Sequence, residues 1–230
     1  MLDKIIYPEC NCCKRIVESV RFGLCDDCMA GIKVNFSNRC NLCSNPVPDG
    51  SNICGRCFSS KVYFDRGFFL FPYNDCGKAL IHSIKFKDHP EYLKVIDLFK
   101  IQIFSFFDEI RPQVITYVPS SFNSFFKRGY SVPKRMAIML SNLSGVELKR
   151  LVFTKKLFKK RLSLTKSVNE RKKIVKRSFE VRAKGNYERI LIVDDVFTTG
   201  STINFISKRL KEKGIGERIY FLTLAMVLND

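Results

Sequence analysis

Fourteen residues, Ile190-Leu-Ile-Val-Asp-Asp-Val-Phe-Thr-Thr-Gly-Ser-Thr-Ile203, constrain the fold of this chain more than any other stretch. Ile190 to Val193 are apolar and β-prone without alternation, which suits a strand buried on both faces. Ile203, Ile206 and Leu210 then recur at helical spacing across Ile203 to Lys213. The loop between them, Thr198, Thr199, Gly200, Ser201 and Thr202, offers hydroxyls and backbone N–H groups where a helix opens. Unpaired amides and the macrodipole favour an anion at such a place. Asp194 and Asp195 stand at the strand's carboxyl end, the usual ligand crevice of an open α/β sheet. Carboxylates repel phosphate, so these two suit sugar hydroxyls, met directly or beside a metal. A phosphorylated sugar uses all three parts. A plain βα turn, its acids solvated or capping the helix, is the alternative, and the Thr-Thr-Gly-Ser-Thr loop argues against it.

The other end of the chain is cysteine-rich. Eight of ten cysteines form Cys-x-x-Cys pairs: Cys10/Cys13, Cys25/Cys28, Cys40/Cys43 and Cys54/Cys57. Such a turn brings two thiolates to one tetrahedral ion, so four turns make two zinc sites. Consecutive pairing leaves eleven and ten residues between the pairs and needs the shortest closures. Four thiolates leave no position for water, which makes the expected zinc structural. Cys12 is a spectator of this cluster on spacing alone, with its replacing Cys10 or Cys13 in the first turn as the alternative, and Cys76 stands by itself. Met1 to Pro8 has neither the basic end nor the apolar run of a signal peptide, which with the thiol-rich spacing gives the cytoplasm as the expected compartment. No stretch reaches the roughly 20 apolar residues of a membrane span.

Between these ends the expected elements alternate. Tyr63 to Tyr73 reads as a strand, and Asn74 to Phe86 as a helix carrying Leu80, Ile81 and Ile84. Tyr92 to Phe107 fits a second helix through Leu93, Ile96, Phe99, Ile103 and Phe107. Val114 to Val118 is a strand that Pro119 stops, followed by a Ser-rich loop to Lys127-Arg128-Gly129 and a helix from Pro133 to Asn142. Arg218 to Met226 is the last strand. This order predicts an α/β fold with a central parallel sheet and helices on both faces, preceded by a small metal-bound module.

Charge adds a further constraint. The formal net charge is +18, and the segment from Lys149 to Arg189 has sixteen Lys or Arg against three Glu, a net of +13. Such a segment attracts polyanions, nucleic acid or anionic lipid, without specifying which. Phe153, Phe158, Phe179 and Tyr187 interleave with it, as base-stacking residues or as its buried side.

The run from Ile190 to Ile203 resembles the 5-phosphoribosyl 1-diphosphate (PRPP) signature of type I phosphoribosyltransferases, with Phe197 standing where a smaller aliphatic is usual. Together with the zinc knuckles, Phe71-Pro-Tyr73, Leu80-Ile-His-Ser-Ile-Lys-Phe-Lys87, Val118-Pro119 and Lys127-Arg-Gly-Tyr130, it makes nearly the whole chain resemble the ComF family of competence proteins. The resemblance implies a double zinc ribbon over residues 1–60 and a type I phosphoribosyltransferase-like domain over 61–230. It implies that Asp194 and Asp195 hold ribose hydroxyls, that Thr198, Thr199, Gly200, Ser201 and Thr202 wrap the 5-phosphate, and that Mg²⁺ accompanies PRPP. Arg128 and Lys85 are the cations we assign to the diphosphate. Ser131 and Val132 replace the family's Asn-Gln, and Ile174 stands where an Asn is expected, so an active phosphoribosyltransferase with an unknown acceptor stays an alternative. The function implied by the family is DNA uptake in natural transformation, with single-stranded DNA bound by Lys155, Lys156, Lys159, Lys160 and Arg161. A DNA-uptake helicase or the inner surface of the membrane is a further implied partner.

Overall fold

The computed structural model describes residues 7–33, 36–87, 89–120, 129–154 and 179–228. Five strands form one sheet: β1 (Arg66–Pro72), β2 (Val114–Tyr117), β3 (Glu147–Leu148), β6 (Tyr187–Phe197) and β7 (Gly216–Met226). Their order is β1-β7-β6-β2-β3, and every neighbouring pair is parallel. The expected parallel sheet is therefore present. A two-stranded antiparallel hairpin, β4 (Val152–Thr154) with β5 (Phe179–Val181), packs against it.

Side chains alternate across the sheet into two cores. On one face Ile115, Leu191, Val193 and Leu222 meet α3 (Asp75–Phe86), a 3-10 helix (Pro90–Phe99), α4 (Lys100–Ile110) and α5 (Val132–Ser144). On the other, Val114, Ile190, Ile192 and Phe221 meet α6 (Ser201–Glu212) and the hairpin. Asn74 caps α3 by accepting from Gly77 N at 2.9 Å, and Gly145 ends α5 in the left-handed region.

Two expectations are corrected. The single helix read over Tyr92 to Phe107 is two: Leu93, Ile96 and Phe99 recur every three residues and wind as 3-10, whereas Ile103, Phe107 and Ile110 follow α spacing. The strand from Ile190 is longer than its apolar run. It begins at Tyr187 and continues through both acids to Phe197, because Val196 and Phe197 still pair with Ala225 and Met226.

The cysteine-rich segment divides between the two faces. Short helices α1 (Asp26–Ala30) and α2 (Gly55–Phe58) start directly after Cys25 and Cys54 and carry Cys28 and Cys57. Cys10, Leu24, Cys25, Met29 and Ile32 belong to the first core, and Cys40, Cys43, Cys54 and Cys57 to the second. Ser44 Oγ donates to Gly67 O at 2.6 Å, so the second unit covers the free edge of β1. Arg39 fastens it there, its guanidinium within 5.2–5.6 Å of the ring centroids of Phe36, Phe68 and Phe69.

Gly67 lies opposite Phe221 in β7, and a Cβ at that position would sit 2.0 Å from the Phe221 ring. The ring cannot retreat, being stacked on Phe197 at 4.7 Å and met edge-on by Phe64 at 4.9 Å. Gly67→Ala should destabilise the fold by about 1–3 kcal/mol in urea unfolding, and Phe221→Leu in the same chain should recover part of the loss. Equal stability of the Ala variant and the parent would contradict this packing.

Candidate functional site

Strand order fixes where a ligand crevice opens. The chain leaves β2 through α5 to β3 on one side, whereas β6 lies on β2's other side, so the carboxyl ends of β2 and β6 flank the switch point. Val118 N donates to Val193 O at 2.9 Å and holds the β2 exit beside the acid pair. Beyond it, Ser120 Oγ donates to Ser131 Oγ at 2.9 Å, which brings together the two flanks of residues 121–128.

Asp194 Oδ1 accepts from Asp195 N at 2.8 Å, and Asp195 Oδ2 lies 2.6 Å from Lys85 Nζ. That ion pair is sheltered, with 17% and 21% of the Lys85 and Asp195 side chains exposed. Burial pushes the Asp194 carboxyl well above its ordinary value, the Asp195 charge adds to this, and the Asp195 amide and Lys85 oppose it. Lys85 comes from the last turn of α3. Its neighbour Ile84 accepts through its carbonyl from the Tyr130 hydroxyl, so the end of the Lys127-Arg-Gly-Tyr130 motif is anchored beside it.

The hydroxyl-rich loop joins β6 to α6. Gly200 takes φ 71°, and Asn204 N donates back to Gly200 O at 2.8 Å to start the helix. The Thr199 and Ser201 hydroxyls share a hydrogen bond at 2.8 Å, and Ser201 N reaches Thr199 Oγ1 at 3.4 Å. The helix opens at Ser201, two residues before its apolar pattern begins, so Ser201 and Thr202 lie in its first turn. Lys85, Asp194, Asp195 and Thr198 to Thr202 are thus brought to the end of the same strand. Arg128 lies outside the described residues, as do Lys155, Lys156, Lys159, Lys160 and Arg161.

The sulfur atoms fall into the two consecutive groups, Cys10, Cys13, Cys25, Cys28 and Cys40, Cys43, Cys54, Cys57, each with all four within 4.8 Å of one another. Tetrahedral zinc with Zn–S of about 2.3 Å separates its sulfurs by about 3.8 Å. Cys13 and Cys25 stand at 3.8 Å and Cys43 and Cys54 at 3.5 Å, so the donor sets fit. The two units also repeat one backbone pattern, which spacing alone did not reveal beyond the cysteines. Lys14 and Ser44, each following a knuckle, have φ near 65° and donate to Cys10 O and Cys40 O at 3.0 and 2.9 Å. Arg15 Nε lies 3.4 Å from Cys13 Sγ and lowers that thiol to about 6, favouring thiolate.

Two residues read as isolated in the sequence meet in space. Cys12 Sγ and Cys76 Sγ are 2.9 Å apart, with Cys28 close to both. Cys12 also borders a cleft of about 590 Å³ between the first cysteine unit and α3, whose lining includes His82 and Lys87 but neither acid of the β6 pair. His82 packs on Phe86, and His89 stacks on Tyr92 with Nδ1 2.8 Å from Glu91. Among the aromatic residues of the basic segment, Phe179 is buried in the second core and unavailable to a base. Phe153 is half-buried between Arg150 and Arg182, and Phe158 is outside the described residues.

Comparison with protein-family models gives no match. The chain is 27% identical over 222 residues to "Competence protein F" of Haemophilus influenzae, covering 91% of this chain and 93% of that one. It is 26% identical to "Competence protein ComFC" of Bacillus subtilis over 212 residues, 87% of this chain and 83% of the relative. "DNA utilization protein YhgH" of Salmonella typhimurium is 24% identical over 212 residues, 89% of this chain and 91% of the relative. Among solved structures, a purine phosphoribosyltransferase from Pyrococcus horikoshii aligns over 57% of this chain and 72% of its own at 21% identity and a TM-score of 0.35, so the fold rests on the sheet order above and not on that likeness. Over some nine-tenths of its length, this chain is similar to proteins named for competence and for DNA utilization.

Proposed function

We propose that this protein serves natural transformation by binding PRPP at the end of β6 and handling single-stranded DNA with its basic segment. The observation that carries the ligand reading is the meeting of an acid pair, a sheltered lysine and a hydroxyl-rich helix start at the sheet's switch point. Each part suits one portion of the ligand. First-turn amides and the Thr199, Ser201 and Thr202 hydroxyls suit a 5-phosphate. The Asp194 and Asp195 carboxylates accept hydrogen bonds from ribose hydroxyls. Lys85, which neutralises Asp195 at 2.6 Å, is a cation suited to the diphosphate, and the sequence offers Arg128 as a second. The Mg²⁺ expected with PRPP takes hard oxygen donors, which Asp194, Asp195 and the diphosphate itself offer, and it would neutralise phosphate charge. Zinc at the two tetracysteine groups would hold the fold without taking part in chemistry.

The DNA reading is supported by the +13 segment and by relatives named for competence and DNA utilization. Among the described residues, no helix is long and apolar enough to cross a membrane.

Replacing Asp194 and Asp195 together by Ala should abolish PRPP binding in calorimetric titration while leaving single-stranded DNA affinity unchanged. PRPP affinity equal to the parent's would remove the ligand assignment. The raised Asp194 value sets a second expectation, on stability. A carboxyl with a raised folded-state value favours the fold while protonated, and that contribution is lost as pH rises through the folded value. Asp194→Asn should therefore be more stable than the parent at neutral pH, with the advantage shrinking in acid; urea midpoints that stay equal across pH would refute it. For DNA, neutralising Lys155, Lys156, Lys159, Lys160 and Arg161 should flatten the dependence of log affinity on log salt by about 0.7 for each phosphate the protein no longer neutralises. An unchanged slope would dismiss that surface.

A further inference from the structure

Phe197, the one departure of the sugar-phosphate run from its usual pattern, is also where the second cysteine unit reaches the loop. The ring packs against Gly200, at which a Cβ would lie 2.5 Å from Phe197 Cζ. Gly200 is the N-cap of α6 and has no side chain with which to cap it, so the left-handed turn that aims the loop amides rests on this ring and on the Thr199 hydroxyl that meets Ser201 N. The Arg56 guanidinium lies 5.4 Å from the same ring's centroid. Arg56 Nη2 donates to Val227 O at 2.8 Å, and Val227 N donates to Phe197 O at 2.9 Å, which ties guanidinium, ring and strand end together. Arg56 belongs to α2 and stands between Cys54 and Cys57. A second tie runs alongside: in the first turn of α6, Asn204 accepts from Tyr63 N at 2.6 Å and donates to Lys61 O at 2.8 Å, just after the last knuckle.

We infer that Arg56 is a positioning residue through which the metal unit of Cys40, Cys43, Cys54 and Cys57 sets the shape of the anion-binding loop. With the four thiolates on one ion, α2 holds the guanidinium against Phe197 and Val227, the ring supports Gly200, and Thr199 to Thr202 keep the arrangement an anion needs. Metal occupancy and anion affinity are then coupled, because a loop already ordered loses less entropy when its ligand arrives. The ligand in this account is the one proposed above, but the ordering of the loop does not depend on it.

Hydrogen exchange of the ligand-free, zinc-loaded protein tests the inference without PRPP. Arg56→Ala should keep two zinc ions per chain and speed exchange at the amides of residues 199–204 about fivefold or more, with residues 40–57 little changed. Arg56→Lys, which keeps a cation near the ring, should recover part of the protection. Phe197→Leu touches no cysteine and should give the same acceleration alone, and the double variant should exceed neither by much, since both residues act in one chain of contacts. Unchanged exchange in the Arg56→Ala protein overturns the inference, as do additive effects in the double variant. If Arg56→Ala releases zinc, Phe197→Leu decides by itself, and unchanged exchange there overturns the inference equally. Titrating PRPP into the same proteins separates the two ideas. A parent that fails to bind PRPP removes the proposed ligand, whereas the exchange result still decides the role of Arg56.

Discussion

A parallel sheet has no face for water, and everything else in this molecule follows from covering both sides. One face has α3, the 3-10 helix, α4 and α5, while the other has only α6 and a short hairpin among the described residues. The second cysteine unit makes up the difference, and the first adds to the helix-rich face. Each is too poor in large apolar residues to form a core alone, so thiolate coordination holds its turns while its few apolar side chains join a core of the sheet. The first contributes Leu24, Met29 and Ile32, and the second seats Phe36 and its buried cysteines beside Phe64 and Phe69.

The same sheet explains the unusual electrostatics of the acid pair. Both carboxylates stand near the carboxyl end of a buried strand, where desolvation disfavours charge. Lys85 compensates one of them, leaving Asp194 as the group whose ionisation is costly. Such an arrangement is a poor choice for stability and a good one for a polyhydroxyl ligand, whose donors replace the missing water. Sites of this kind are where stability and binding part company.

Much of this was legible in the sequence, for identifiable reasons. The buried strand at Ile190 to Val193 was evident because a strand covered on both faces cannot alternate, and the cysteine groups were evident because knuckle spacing is a geometric requirement of one ion. Lys85 was visible only as a candidate cation for a diphosphate; that it neutralises Asp195 depends on α3 lying across the sheet, a contact 110 residues apart in the chain. The pairing of Cys12 with Cys76 was hidden for the same reason, since neither has a local partner. The split at Phe99 was missed because spacings of three and four are both compatible with a period of 3.6 over one or two turns. Phe197 read as a tolerated substitution, and only packing reveals that its ring lies against Gly200 and Phe221.

The two cysteine units share one backbone design and have taken different neighbours. The first leans on the helix that carries Lys85: Asn11 donates to Ser83 Oγ at 3.1 Å and accepts from Lys87 Nζ at 2.9 Å, and Asn74 donates to Gly31 O at 2.9 Å. The second leans on the strand end and helix that carry the hydroxyl-rich loop, through Arg56, Lys61 and Tyr63. The cation and the anion cradle of the candidate site therefore rest on separate copies of the same motif, one against each face of the sheet. The acids of that site stand on β6, while its cation and its loop lean on these units. The site's geometry depends in part on two small units that coordination can hold in place and that loss of coordination can release, which makes the thiolates part of the site's construction even though none of them lies in it.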